Sequence, residues 1–219
     1  MKDKKKKPFE TRSYNFDMRA IESERGNGLR TITGRPIVYG SKTDLGYFDE
    51  VIEPGALDGA DLTDVRFLVN HDLSRIPLAR SRHNNMNSTL RLTPVAEGLD
   101  MATDVDVENN MTARELTSAI DRGDLSGMSF MFSIDDEEWQ NLDSEHPTRH
   151  INKIASVIEI SAVTFPAYED TEIHARDKSA LENARRDLEK ARNEKREKSL
   201  ENEKRTLELE KTKIEILMK

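Results

Sequence analysis

The composition of the chain changes abruptly near residue 177, and this change limits what each part can fold into. The 43 residues of 177–219 contain no glycine, proline or aromatic residue, and 24 of them are charged. A segment with so little apolar surface cannot form a globular core, but its Glu, Lys, Arg, Leu and Ala residues favour helix. Leu200, Leu207 and Ile214 recur at intervals of seven, as in a coiled coil. The sequence therefore predicts a charged C-terminal helix, either solitary and solvated or paired in a weak coiled coil over 200–217.

The preceding residues divide into a short arm and a body of mixed composition. Residues 1–13 begin with the basic run 2–7, which has no apolar core behind it and so is not a secretory signal. We expect them to form a disordered basic arm. Residues 14–176 contain short apolar stretches broken by turns, and one stretch, 110–122, with helical spacing. The strand candidates are 29–39, 65–69, 90–92, 99–105, 128–134 and 154–165. The body is therefore predicted to be α+β, mainly β, and to form a closed or nearly closed β-barrel with flanking helices.

Charge and composition exclude several classes of function. The chain has a net charge of −8. Residues 177–219 have a net charge of +2, so residues 1–176 have a net charge of −10. A body this acidic repels phosphates, so we expect no nucleic-acid partner. The absence of cysteine excludes a thiolate zinc site and a cysteine nucleophile. No stretch reaches the roughly 20 apolar residues of a membrane helix, so we expect no membrane partner.

One pair of histidines has the spacing of a metal site. His146 and His150 are four residues apart, which on a helix would place both on one face. Pro147 lies between them, however, and the polar residues 141–145 predict a loop. We therefore expect no metal site and no cofactor.

Three segments contain side chains that could act together in hydrolysis. His71 follows a strand candidate, from which a histidine can project into a cleft as a general base. Ser129 lies on a strand in which Phe130 and Phe132 face the core, so its hydroxyl points to the other face. Glu159 lies inside an apolar strand, where a carboxylate needs a cation or a donor. Each residue also has a simpler explanation: a packed histidine, a surface serine and an edge-strand glutamate facing water.

Together these segments resemble the prohead protease family of tailed bacteriophages, which is related in fold and mechanism to herpesvirus assemblin. The resemblance rests on four motifs in chain order. They are EPGAL at 53–57, NHD at 70–72, GDLSGMSF at 123–130 and EISAVTFPA at 159–167. No one motif is specific alone, but the ordered set is. It implies a herpesvirus-protease-like closed β-barrel and a serine endopeptidase.

The resemblance also implies roles for particular residues. His71 would be the general base, Ser129 the nucleophile and Glu159 the group that orients the histidine. The herpesvirus relatives place a second histidine in that third role, and Asp72 and Asp104 are the alternatives here if Glu159 does not fill it. The implied substrates are the phage major capsid protein, its scaffold and the chain itself, cut inside the assembling prohead in the host cytoplasm. The herpesvirus relatives suggest a homodimer.

Two functions of other classes remain open at this level. The chain could be an assembly scaffold whose charged tail acts while its protease-like domain is inert, but an inert copy would be free to lose His71 or Ser129. It could also be a β-rich binding module without chemistry. Three separate segments that match one mechanism in order argue against that interpretation.

Overall fold

The computed structural model describes residues 9–15, 18–26, 28–164 and 175–217. The strands are β1 (Glu10–Asn15), β2 (Arg19–Glu22), β3 (Leu29–Val38), β4 (Lys42–Asp44), β5 (Asp49–Ile52), β6 (Arg66–Val69), β7 (Ala79–Arg80), β8 (Leu90–Val95), β9 (Gly98–Asp106), β10 (Gly127–Gln140) and β11 (Thr148–Val163). The helices are α1 (Met111–Asp121) and α2 (Ala175–Leu217), and a short 3-10 helix spans Arg82–Asn84. The predicted α+β, mainly β class is confirmed. Among these residues, neither α1 nor α2 has an apolar stretch long enough to cross a membrane.

The described strands form two sheets that share one hydrophobic core. The first sheet has the order β1-β10-β11-β5-β4, and β6 and β7 branch from it because β6 also pairs with β11. The second sheet has the order β2-β3-β9-β8. Ile32 and Leu99 of the second sheet lie in the same buried cluster as Phe130 and Ile160 of the first. The antiparallel pair β10–β11 is the centre of the first sheet and carries two of the predicted site residues.

The closed barrel expected from the sequence is wrong. Within the described residues, no pairing joins the first strand of either sheet to its last. The reason lies in β11, whose 16 residues accept two short parallel partners. Residues 148–151 pair with β5, and residues 159–162 pair with β6. Because β5 and β6 share one edge of the same long strand, the sheet branches there instead of curling round to close.

The N-terminal arm also differs from the prediction. Residues 1–8 lie outside the described part of the chain, but Glu10–Asn15 form β1 rather than a disordered segment. Strand β1 pairs antiparallel with β10, and Ser13 lies directly opposite Ser129. Residues 10–13 are therefore an edge strand of the sheet that bears the predicted nucleophile.

Buried ion pairs hold β1 in this sheet. Arg12 contacts Glu50 at 2.5 Å and Glu10 at 2.6 Å, and Arg149 contacts Glu10 at 2.8 Å. Burial alone would raise the pKa of Glu10, but the guanidiniums of Arg12 and Arg149 outweigh it and hold that pKa below its ordinary value. A buried charge without its partner is strongly destabilising, so these pairs fix where β1 can lie. The partners are up to 139 positions apart in the chain, which is why the polar arm gave no sign of a strand.

Helix α2 is the charged C-terminal helix that the composition predicts, and its first part packs on the body. Ala184 and Leu188 are buried, and the guanidinium of Arg192 donates to the carbonyl oxygens of Leu142 and Ser144 at 2.9 and 2.7 Å. Helix α2 also contacts β1. Residues 193–214 are exposed. The change in composition near residue 177 therefore does not coincide with a loss of contact, because Ala184 and Leu188, which follow it, are still buried. Whether the exposed part forms a coiled coil stays a prediction.

Candidate active site

A left-handed turn after β6 presents His71. The N–H of Asn70 extends the ladder by donating to the Ala162 carbonyl at 2.9 Å. Asn70 and His71 then both have positive φ, at 52° and 56°. This conformation costs an ordinary L-residue about 1–2 kcal/mol, so it persists only where surrounding contacts hold it. The turn directs the imidazole back over β11, and the side chain remains 15% exposed.

The His71 ring meets the carboxylate of Glu159. Nδ1 of His71 is in hydrogen-bonding contact with Oε1 of Glu159. Glu159 is a residue of β11 and has no exposed surface. The other carboxylate oxygen, Oε2, accepts a hydrogen bond from the Ser161 hydroxyl at 2.6 Å. The buried glutamate therefore has partners on both oxygens, as its burial requires.

Ser129 lies beside this pair on the neighbouring strand. It is directly opposite Ser161 in the β10–β11 ladder, and Glu159 lies opposite Met131 two positions along. Residues paired across an antiparallel ladder point to the same face, with Cβ atoms about 5 Å apart. The predicted nucleophile and acid thus lie on the neighbouring strands β10 and β11, and the predicted base lies in the turn after β6, which pairs with the other edge of β11.

Ser129 is enclosed by its surroundings and is not the surface serine that the simpler explanation of the sequence offered. Ser129 has no exposed surface. Its hydroxyl donates to the Arg12 carbonyl oxygen at 2.8 Å and accepts from the Ser13 hydroxyl at 2.8 Å. Both contacts come from β1, the strand that the sequence did not reveal. In this structure β1 covers the serine in the manner of an extended peptide laid along the edge of β10.

The two alternative carboxylates have other partners. Asp72 is partly exposed, and hydrogen bonds from Ser74 hold its pKa below the ordinary value. Asp104 belongs to the second sheet, where it accepts from Thr31 at 2.6 Å and from Arg91 at 2.6 Å. Burial would raise the pKa of Asp104, but these donors lower it. Glu159 is therefore the carboxylate that the structure places against the His71 ring.

A second group of titratable side chains lies away from this site. Asp44, Asp49 and His146 offer ligand atoms within 4.8 Å of one another, which is close enough to hold a metal ion. Lys42 already pairs with Asp49, however, and the exposed position of Asp44 favours solvation. His150 takes no part in this group, since its Nδ1 contacts Oε1 of Glu53 at 2.5 Å. The two histidines whose spacing was considered above thus have separate carboxylate partners.

A serine, a histidine and a buried glutamate on one face of a sheet are the side-chain set of a serine hydrolase. The chain belongs to the caudovirus prohead serine protease family, whose sequence model matches residues 14–186. It is therefore a serine protease of phage capsid maturation, which acts in the assembling prohead. No curated protein and no solved structure matches the chain. The family match begins after residues 10–13 of β1 and ends within α2, just beyond buried Ala184.

Proposed function

We propose that the chain is an endopeptidase with a Ser129–His71–Glu159 triad that cuts the phage major capsid protein and its scaffold. The observation that supports this most strongly is the contact of the His71 ring with the buried Glu159 carboxylate, one strand away from Ser129. The resemblance of the four motifs to those of the family implies the same three residues. Cleavage takes place in the host cytoplasm inside the assembling prohead, with a homodimer as the proposed active form.

Each of the three residues has a defined role in the reaction. Glu159 accepts the Nδ1–H of His71, which fixes the tautomer with a free lone pair on Nε2. That nitrogen takes the proton of Ser129 as its oxygen attacks the scissile carbonyl carbon, and a tetrahedral intermediate forms. The protonated imidazole then gives the proton to the leaving amine, and the C–N bond breaks to leave an acyl-enzyme. Water activated by the same histidine attacks the acyl carbon, releases the acid product and restores the serine.

We also propose that the chain cuts itself within β1. The Ser129 hydroxyl contacts the carbonyl oxygen of Arg12, so the Arg12–Ser13 peptide bond is the one that lies at the nucleophile. A substrate cannot reach Ser129 while β1 covers it, since the serine has no exposed surface. Cleavage after Arg12 would separate the anchored residues Glu10 and Arg12 from the rest of the chain. Until β1 leaves the edge of β10, the protease would stay inactive toward other substrates.

The Glu159→Gln variant tests the third member of the triad. We expect kcat to fall on the order of 10⁴-fold, because an uncharged amide can hold the wrong tautomer of His71 and does not stabilise the imidazolium. The rate is measured on purified chain with the capsid protein as substrate. The matched control is Glu53→Gln. Glu53 contacts His150, so this variant alters a second His–Glu contact in the same fold. A Glu159→Gln variant as active as this control would remove Glu159 from the triad.

Two truncations test the role of the charged helix. We propose that its exposed part delivers the protease into the prohead, since a charged helix can dock on a partner or on itself. A chain that ends at Ser199 keeps the docked residues and should retain peptide cleavage while its incorporation into heads drops. A chain that ends at Arg176 also loses buried Leu188, which stabilises by roughly 1.5–3 kcal/mol, so its melting temperature should fall as well. Normal incorporation of the longer truncated chain would mean that the exposed part does not deliver the protease.

A further inference from the structure

Ser161 touches both partners of the His71–Glu159 contact through one oxygen atom. Its hydroxyl donates to Oε2 of Glu159 at 2.6 Å and accepts the backbone N–H of His71 at 3.1 Å. Oε1 of Glu159 in turn meets the His71 ring. The three residues therefore form a closed ring of hydrogen bonds, in which the histidine is held by its backbone at one point and by its imidazole at another.

This ring of hydrogen bonds is largely buried, so the loss of any of its hydrogen bonds should be unfavourable. Ser161 and Glu159 have no exposed surface, so water cannot readily replace the hydroxyl. A serine hydroxyl has one proton to donate, and here it goes to the carboxylate. Without it, one oxygen of a buried carboxylate loses its donor, and the His71 N–H loses its acceptor; each such loss is unfavourable in a buried site.

The His71 N–H also belongs to the strained part of the turn. On one side the turn is held by Asn70, whose side-chain oxygen accepts from the Thr164 N–H at 2.9 Å. On the other side, the backbone N–H of His71 donates a hydrogen bond to the hydroxyl of Ser161. Because two consecutive left-handed residues need contacts that hold them, the Ser161 hydroxyl stabilises the backbone conformation that places the imidazole.

From these contacts we infer that Ser161 is a positioning residue of the protease: its hydroxyl fixes the His71 backbone and the Glu159 carboxylate relative to each other. The inference rests on the roles proposed above for His71 and Glu159. Ser161 acts through those two residues and has no role of its own in bond making. Its removal should therefore reduce the rate of the chemical step and leave substrate binding unchanged.

The Ser161→Ala variant of the full chain tests this inference. We expect kcat on the capsid-protein substrate to fall about 10²-fold, as a misplacement of roughly 1 Å does, with KM unchanged. The matched control is Ser133→Ala. Ser133 is a buried serine of β10 whose hydroxyl lies 2.9 Å from that of Ser156, and its loss should leave kcat nearly unchanged. Wild-type kcat in Ser161→Ala, or an equal loss in Ser133→Ala, would overturn the inference.

A double-mutant cycle separates positioning from a general loss of structure. If Ser161 acts through Glu159, then Ser161→Ala should have little further effect in a Glu159→Gln background, because the effects of coupled residues do not add. The same loss in both backgrounds would show a structural role only. If Glu159→Gln is itself fully active, the proposed triad fails. If Glu159→Gln is impaired while Ser161→Ala is not, this inference alone fails.

A third variant covers the case in which Ser161→Ala does not fold. Ser161→Cys retains a side chain of similar shape with only a weak S–H donor. We expect it to fold and to show a reduced kcat with unchanged KM, again absent in the Glu159→Gln background. A folded Ser161→Cys protein with wild-type kcat would contradict the positioning role.

Discussion

Replacement of Ser129 with alanine is expected to abolish cleavage of the capsid protein, with a loss in kcat of roughly a millionfold. The hydroxyl is the proposed nucleophile, and the hydroxyl of Ser161, directly opposite in the ladder, is already donated to Glu159. The fold should persist, because Phe130 and Phe132 on the opposite face of β10 keep their buried positions. The measurement is the shortening of the capsid protein over time during co-expression with the wild-type or the Ser129→Ala chain.

The same experiment reports on self-cleavage and has an internal control. Mass spectrometry should detect a chain that begins at Ser13 in the wild type and an intact N-terminus in Ser129→Ala. Ser126 lies three positions earlier and is exposed, so Ser126→Ala should cut the capsid protein normally. If Ser126→Ala is inactive and Ser129→Ala is active, the wrong serine has been assigned.

Replacement of His71 with alanine is expected to be about as damaging as the loss of Ser129. The two residues act as one unit, so the double variant should be no slower than either single variant. Without the imidazole, no base accepts the serine proton and no acid protonates the leaving amine. The rates of the two single variants and the double variant are compared on purified chains with the same capsid-protein substrate.

The control for this series is His150→Ala. His150 also contacts a glutamate, Glu53, but lies at the far end of β11 from Ser161. Its loss should leave cleavage almost unchanged. Effects of Ser129→Ala and His71→Ala that multiply in the double variant would show that the two side chains act independently, which is inconsistent with a triad.

Strands β3, β6, β8, β9, β10 and β11, and the placement of Ser129 and Glu159 on two of them, could be predicted because the signals are local. Alternating Phe130 and Phe132 placed Ser129 on the opposite face of its strand, and the structure agrees that both phenylalanines are buried. An isolated carboxylate in an apolar strand predicted a partner for Glu159, and the structure places His71 against it. Their catalytic roles stay predictions until the variants above are measured.

The rest depends on contacts between distant residues, which local patterns do not contain. Strand β1 is held by pairs such as Arg12–Glu50 and Arg149–Glu10, and in the sequence each of these is an ordinary charged residue. The branching of the first sheet depends on which strands share an edge of β11, so the predicted barrel was wrong. Ser161 was not identified from the sequence, although its position two residues from Glu159 places both side chains on one face of β11.

The central claim is that Ser129 is a nucleophile activated by His71, and labelling of the serine tests it most directly. Proheads assembled by co-expression of the chain with its capsid protein are treated with a fluorophosphonate, and the modified residue is located by peptide mass spectrometry. We predict an adduct on Ser129 in wild-type proheads and none in His71→Ala proheads. An adduct on another serine with Ser129 unmodified, or equal labelling of Ser129 without His71, would contradict the proposed triad.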